Sequence, residues 1–125
     1  MMDLTRLTTT GETVSSRAFA INDRLVLELS GDASLQAVDQ IDRLLGELHQ
    51  LAGRHKLSSV AVDFRKLEFM NSSCFKKFVR WVMLVAEMET DQYRISLVSD
   101  PESFWQRRAM HALQAFAVHL ITIES

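Results

Sequence analysis

Two runs near the start of the chain alternate between apolar and polar residues. The alternation is weak over Val14–Ile21 and clear over Leu25–Leu29, and it is typical of β-strands with one buried face. Asn22 and Asp23 favour a turn between the runs, so the pattern predicts a β-hairpin. The preceding residues 1–13 are rich in threonine and have no periodicity, which predicts a flexible N-terminal lead-in.

The pattern then changes to the helical period, with apolar residues three and four positions apart. This spacing predicts an amphipathic helix from Ser34 to about Arg54. Asp32 or Ser34 can cap its start, and Gly53 lies where it would end. The stripe that we expect to face the sheet consists of Leu35, Val38, Ile41, Leu44, Leu45, Leu48 and Leu51.

The middle of the chain joins a strand to a helix. Val60–Phe64 is a short apolar run with β-branched residues, which predicts a buried, central strand. A polar elbow is expected after it, and Asn71, Ser72 and Ser73 then open a helical pattern. Asn or Ser at such a junction is a good N-cap, because its oxygen accepts a hydrogen bond from an unpaired amide of the first turn. A hydroxyl group here lies at the positive end of the helix, where an added phosphate is electrostatically favoured.

This second helix is predicted from about Ser73 to Glu89 and is apolar on most of its sides. A helix of this kind is either deeply buried or covered by a partner. Its polar face lies near its start and consists of Lys76, Lys77 and Arg80.

Three further elements complete the pattern. Tyr93–Val98 alternates as a strand, Asp100 and Pro101 predict the start of a third helix, and Val118–Ile123 predicts a last strand. The order is therefore hairpin, helix, strand, helix, strand, helix, strand. We expect a single α/β domain with a mixed, mostly parallel β-sheet, an N-terminal hairpin at its antiparallel edge, and covering helices.

Composition adds mainly exclusions. At 125 residues, with 47% hydrophobic and 24% charged residues, the chain fits one ordinary globular domain. The net charge of -2 gives no indication of nucleic-acid binding. A single cysteine excludes an internal disulfide, and the histidines share no ligand spacing, so neither a metal nor a cofactor is expected. There is no signal-peptide pattern and no apolar run of membrane length, so we expect a cytoplasmic protein that does not insert into a membrane.

The order of elements, together with the segment Leu67–Ser73, resembles a STAS domain of the anti-sigma factor antagonist (anti-anti-sigma factor) family. That bacterial family carries an Asp-Ser-Ser/Thr-Gly-Leu signature after an apolar strand, at the start of a helix. The resemblance extends from about Ser16 onward and places residues 14–125 in one STAS domain. Asn71 stands where the family usually has Asp, and Cys74 stands where Gly is usual.

The resemblance implies a regulatory phosphoprotein that controls transcription through a protein partner. By position, Ser72 matches the residue that a partner anti-sigma factor, itself a serine kinase, phosphorylates in the family; Ser73 is the next candidate. The unphosphorylated antagonist binds the kinase and frees the sigma factor, phosphorylation releases it, and a phosphatase resets the cycle. The residues implied in partner binding are Asn71, Ser72, Ser73, Cys74, Lys76 and Lys77.

The same residues also have plainer interpretations. Ser72 and Ser73 suit helix capping alone, Cys74 suits a small buried thiol, and lysines usually form a solvated face. Phe104 and Trp105, which two arginines follow, suit either an exposed contact or core packing.

The sequence also bears on other classes of function, namely an enzyme, a transporter subunit and a scaffold. The chain has no Gly-rich phosphate loop and no serine nucleophile motif with a placed histidine, which predicts a switch or binding module and no enzyme. One alternative is a STAS accessory subunit of an ABC transporter that moves lipids. Another is a sensory or scaffold STAS domain that is not phosphorylated. No oligomeric state is predicted.

Overall fold

The strands lie side by side in the order in which they occur along the chain. The computed structural model describes residues 2–125, and within them six strands form one sheet. These strands are β1 (Thr9–Thr10), β2 (Val14–Ile21), β3 (Arg24–Ala33), β4 (Ser59–Met70), β5 (Arg94–Val98) and β6 (Ile121–Glu124). The helices are α1 (Val38–Arg54), α2 (Ser72–Ala86) and α3 (Phe104–Gln114). The pairs β1–β2 and β2–β3 are antiparallel and the others are parallel, so the predicted hairpin and mostly parallel sheet are confirmed.

The helices cover one face of this sheet. Each parallel crossover adds the next strand on the same side, and because such crossovers are right-handed, α1, α2 and α3 lie on the same face. Burial along the strands agrees, since the helix-facing side chains form the core. The central members of this core are Leu25, Leu27, Leu29, Val60, Val62, Phe64, Ile95 and Leu97.

Strand β4 is longer than the sequence predicts. The expected elbow after Phe64 is strand as far as Met70, so that prediction is wrong. The physical reason is strand pairing. Strand β3 also continues to Ala33, and its backbone groups form hydrogen bonds with this segment of β4, with two shifts in the register. At one shift Gly31 has a φ of 97°, where a side chain would be strained and would also meet the carbonyl of Thr13.

The start of α1 also differs from its prediction. The helix begins at Val38 rather than Ser34, after a 3-10 turn over Leu35–Ala37. A 3-10 turn has three residues per turn, so Leu35 leaves the register of the α-helical stripe and is 71% exposed. Its predicted burial is therefore wrong, whereas the stripe from Ile41 to Leu51 is buried and Val38 is half-buried.

Neither predicted cap of α1 is observed. The Ser34 hydroxyl donates to the Thr13 hydroxyl at 3.3 Å, and no side chain caps the 3-10 turn or α1. Asp32 lies within β3 and has no part in a cap.

The third helix begins later than Asp100 and Pro101 predict. The Asp100 carboxylate accepts a hydrogen bond from the amide of Glu102, which holds this segment in a turn, and α3 starts at Phe104. Buried Gln106 then fixes the start of α3, because its side-chain oxygen accepts from the amide of Asp100 at 2.8 Å. Two other boundaries move: α2 ends at Ala86 rather than Glu89, and β6 covers Ile121–Glu124 rather than Val118–Ile123.

The segment before Val14 is packed against the domain. Leu7 is fully buried, and its carbonyl accepts a hydrogen bond from the Ser16 hydroxyl at 2.8 Å. The side-chain amide of Gln40 donates to the Thr9 hydroxyl, which ties β1 to α1. The first residue of the predicted lead-in, Met1, lies outside the described residues.

Candidate functional site

Asn71 fixes the junction between β4 and α2. Its side-chain oxygen accepts a hydrogen bond from the amide of Cys74 at 2.9 Å, which makes it the N-cap of α2. Its own amide donates to the carbonyl of Ala33 at 2.9 Å, so the junction is also tied to the end of β3. Helix capping is therefore performed by Asn71 and needs neither Ser72 nor Ser73.

The two serines differ in exposure. Ser72 is the first residue of α2 and is exposed, whereas Ser73 is half-buried. Neither hydroxyl donates to or accepts from any other described residue through a side-chain hydrogen bond. Of the two, Ser72 thus presents the more accessible hydroxyl group at the positive end of a 15-residue helix.

Cys74 is fully buried. Its thiol lies 3.4 Å from the carbonyl of Ser34, to which it donates, and burial raises the pKa of this thiol above its ordinary value. The interpretation as a small buried thiol is thus the one that the structure favours. The thiol itself is packed inside the free domain, and a role of Cys74 in partner binding stays a prediction.

The two lysines predicted to bind a partner have different surroundings. Lys76 is exposed and lies one helical turn from Ser72, on the same side of α2. Lys77 points toward α1, where its ammonium group lies 3.7 Å from the Asp42 carboxylate. Of these two cations, Lys76 is therefore the one placed beside the exposed serine.

A groove between α2 and α3 lies next to Ser72. Its volume is about 400 Å³, and it is lined largely by apolar side chains with one cation, Arg108, on its rim. Trp105 is half-buried in this lining. The lining residues are Met70, Asn71, Ser72, Phe75, Trp105, Arg108, Ala109 and Ala112.

Three large apolar side chains are exposed at the same edge of the sheet. Leu35 follows β3, Phe69 is near the end of β4, and Phe104 follows the turn after β5. Because β3, β4 and β5 are parallel neighbours, their carboxyl ends share one edge, and α2 starts there as well. The exposures are 71% for Leu35, 50% for Phe69 and 66% for Phe104. We call Leu35, Phe69, Ser72 and Phe104 the serine edge.

Only part of the serine edge could be predicted from the sequence. Phe104 was a candidate for exposed contact, and the guanidinium groups of Arg107 and Arg108 do lie 6.0 and 5.7 Å from the centre of its ring. Leu35 was assigned to the core, and Phe69 was assigned no role. Their common position at or just after the carboxyl ends of parallel strands is the signal that identifies them.

A charged pair, Asp63 and Arg65, lies away from the serine edge, on the sheet face opposite the helices. Asp63 is 7% exposed and accepts three hydrogen bonds from the Arg65 guanidinium, at 3.0, 3.2 and 2.7 Å. Burial acts to raise the pKa of Asp63, but the hydrogen bonds and charge of Arg65 outweigh it, and the pKa is lowered overall. The pair lies within the sheet and satisfies a buried carboxylate.

The described residues contain neither a cluster of metal-ligand side chains nor a membrane-spanning helix. Between residues 2 and 125, no group of three or more His, Cys, Asp or Glu side chains is arranged to hold a metal ion. Over the same residues, no helix has the length and apolar character needed to cross a membrane.

The arrangement of strands and helices is similar to the fold of solved anti-sigma factor antagonists. A structure of an anti-sigma factor antagonist from Mycobacterium paratuberculosis has a TM-score of 0.66 and 11% identity, covering 93% of this chain and 89% of that one. The anti-sigma factor antagonist SpoIIAA in its unphosphorylated form has a TM-score of 0.62 and 17% identity, with 89% of each chain covered.

The phosphorylated form of the Bacillus cell-fate determinant SpoIIAA has a TM-score of 0.55 and 18% identity, covering 89% of this chain and 92% of that one. No family model and no curated protein sequence matches the chain. The expected STAS-type fold is therefore confirmed by structure.

Proposed function

We propose that this protein is a regulatory binding module, and that a partner serine kinase of the anti-sigma factor type switches it by phosphorylating Ser72. A phosphatase would reset the switch. The observation that carries the proposal is the exposed Ser72 hydroxyl at the capped start of α2, within an apolar edge. SpoIIAA has this fold and has been solved in both an unphosphorylated and a phosphorylated form, which supports a switch of this kind on this fold.

The serine edge has the composition of a protein-binding surface. Interface centres are rich in aromatic side chains and poor in charge, and a few buried anchors supply most of the affinity. Phe69 and Phe104 are exposed aromatic residues of this type, and Leu35 adds to the apolar area. A partner that covers Ser72 would bury these side chains with it.

A phosphate on Ser72 would act at the interface rather than on the fold. It adds roughly -1.5 to -2 charges and three acceptor oxygens. The start of α2 and the nearby Lys76 are favourable surroundings for that charge in the free domain. A partner surface that fits a neutral hydroxyl would instead have to desolvate an unpaired dianion, which is costly. Phosphorylation should therefore release the partner and leave the domain folded.

Catalysis at Ser72 has less support. A serine nucleophile needs an adjacent general base, and among the residues that line the groove beside Ser72 there is no histidine or carboxylate. Ser72 is better suited to accept a phosphate from another enzyme.

The first step of the test is affinity capture from the native cell, with mass spectrometry of the bound proteins and of the peptide that contains Ser72. A transporter permease and ATPase among the partners would favour the accessory-subunit alternative, and a partner without kinase activity would favour the scaffold alternative.

Variants of Ser72 then test the switch with the purified partner. Ser72→Ala should keep binding and lose phosphate incorporation. Ser72→Glu should weaken binding by about 10-fold or more, because an unpaired carboxylate is desolvated at the interface, while the circular dichroism spectrum stays unchanged. Asn71→Asp restores the family's usual charge and measures its effect on acceptor efficiency.

Two control variants test whether the effects are specific to Ser72, one for the identity of the acceptor and one for added negative charge elsewhere. Ser73→Ala should be labelled like wild type, and Thr90→Glu, in the exposed segment after α2, should bind like wild type. Equal labelling of Ser72→Ala and wild type would place the acceptor elsewhere, with Ser73 the next candidate.

A further inference from the structure

Gly46 lies in the middle of α1 without a local reason to be glycine. A glycine in a helix interior is destabilising relative to alanine. A Cβ atom at Gly46 would meet nothing within 4 Å, so close packing does not require it. Gly31, not Gly46, is the glycine with positive φ among the described residues, so backbone conformation does not require it either. What Gly46 does provide is open space beside α2.

That space is a cleft between α1 and α2 with a volume of about 220 Å³. Its apolar lining includes buried Leu45 and Trp81 and the 47% exposed side chain of Leu84. Met83, the neighbour of Leu84, is also 40% exposed. The apolar surface that the sequence predicted on most sides of α2 is thus left partly uncovered at this end of the helix.

The rim of the cleft is predominantly cationic. Arg80 has no carboxylate within 4.0 Å among residues 2–125. The ammonium group of Lys77 lies 3.7 Å from the carboxylate of Asp42, and these two charges offset each other. The net charge that the rim presents is therefore that of Arg80, which favours an anionic group.

His49 adds a hydrogen-bond donor to this rim. The indole of Trp81 can only donate, and it donates to the Tyr93 hydroxyl at 2.9 Å. Tyr93 is fully buried, so its own hydrogen must go to the remaining neighbour, the Nδ1 atom of His49 at 2.7 Å. His49, which lines the cleft, is then neutral with its proton on Nε2, and this N–H makes no hydrogen bond to another residue between 2 and 125.

The size of the cleft decides between kinds of occupant. Sites for cofactors and drug-sized ligands measure about 300–1,000 Å³, and this cleft is smaller. It is better matched to a single side chain of a protein partner, inserted as an anchor. We propose that the α1–α2 cleft is a docking site for a partner segment in which an apolar side chain is flanked by a carboxylate. This site goes beyond the serine switch and does not depend on phosphorylation.

The test uses three capped tripeptides of defined chemistry as probes. They are acetyl-Asp-Phe-Asp-amide, its neutral analogue acetyl-Asn-Phe-Asn-amide, and acetyl-Asp-Ala-Asp-amide, which lacks the apolar anchor. The readout is the ¹H–¹⁵N signal of the indole N–H groups. Trp81 reports on the α1–α2 cleft and Trp105 on the groove beside Ser72. The acidic phenylalanyl peptide should shift the Trp81 signal saturably, with a Kd on the order of 1 mM, as expected for a ligand of this size.

Matched variants tie that shift to the cleft. Gly46→Leu should abolish it by filling the cleft, whereas Gly53→Leu, on the same helix and equally free of contacts, should keep it. Arg80→Gln leaves the cleft open and should weaken binding by about 2- to 5-fold, the range of an exposed ion pair. Both tripeptides that lack one feature should bind more weakly.

Several results would overturn the proposal. These are no saturable shift of Trp81 in the wild-type protein, equal binding of the neutral peptide, or an unchanged shift in Gly46→Leu. A shift of Trp105 alone would assign the peptide to the groove beside Ser72 instead. If Gly46→Leu does not fold, Arg80→Gln and the neutral peptide still decide the question.

Discussion

Tyr93, the residue before β5, connects α1 and α2 because its hydroxyl group forms hydrogen bonds with a side chain of each helix. It is fully buried, and burial raises its pKa far above the ordinary value although the hydrogen bond from Trp81 opposes the shift. The hydroxyl therefore stays protonated, accepts from Trp81 and donates to His49. A buried polar group with all its hydrogen bonds made is stabilising, but it constrains its partners to one protonation state.

We predict that protonation of His49 destabilises the domain. Burial lowers the pKa of His49 below 6.5, so the unfolded chain takes up this proton at a higher pH than the folded one. The free energy of unfolding should fall as the pH drops from about 7 to about 5. Asp42, Lys77 and Arg80 are the charged side chains that line the same cleft as His49.

Urea unfolding at several pH values measures this effect. His49→Gln, which stays neutral, should show a flatter pH profile than wild type. The lowered pKa values of Asp3 and Asp63 act at lower pH, below 3.8, and should leave this window unaffected. Identical profiles for His49→Gln and wild type would contradict the prediction.

At the scale of the element, periodicity identified every helix and the longer strands, but it misplaced their ends. Leu35 continues the three-and-four spacing of α1, yet the 3-10 turn takes it out of the helix. The segment from Arg65 to Met70 is too polar to be predicted as a strand, and it becomes one because β3 pairs with it. For the strand, the deciding interaction is made with a distant part of the chain, which local pattern does not contain.

Leu45 and Leu35 test this distinction directly. The sequence places both in one buried stripe, but Leu45 is 4% exposed and Leu35 is 71% exposed. Leu45→Ala should lower the free energy of unfolding by about 2–5 kcal/mol, because it deletes buried methyl groups and leaves a cavity. Leu35→Ala should change it by less than about 0.5 kcal/mol, as at other exposed positions. Denaturant unfolding checks both, and similar losses for the two variants would mean that Leu35 is packed in solution.

At the scale of the whole molecule, the α/β class and the serine in the strand-to-helix junction could be predicted, whereas the surface around that serine could not. Ser72 was identified from a local motif. Leu35, Phe69 and Phe104 come from three separate parts of the chain, which are the 3-10 turn before α1, the end of β4 and the start of α3. Only the parallel pairing of β3, β4 and β5 brings those parts to one edge.

The N-terminal segment offers a test of the extent of the domain. Leu7 is fully buried against β2 and α1, although its segment was predicted to be a flexible lead-in. Leu7→Ala should therefore cost about 2–5 kcal/mol of stability, as for a core leucine. Arg6→Ala is the control, since its side chain is 80% exposed and its ion pair with Glu47 contributes little. Thermal and urea unfolding measure both, and a negligible loss for Leu7→Ala would support the predicted domain boundary at Val14.

The agreement between spatial and chain order of the strands has a consequence for synthesis on the ribosome. Each strand pairs with the one made just before it, so none has to wait for a later segment to find its first neighbour. The sheet can therefore grow in the direction of translation, beginning with the hairpin and adding one helix and one strand at a time. Until β6 is synthesised, β5 is the edge strand of the sheet. Its unpaired amides and carbonyls are then exposed and could pair with the strands of other chains.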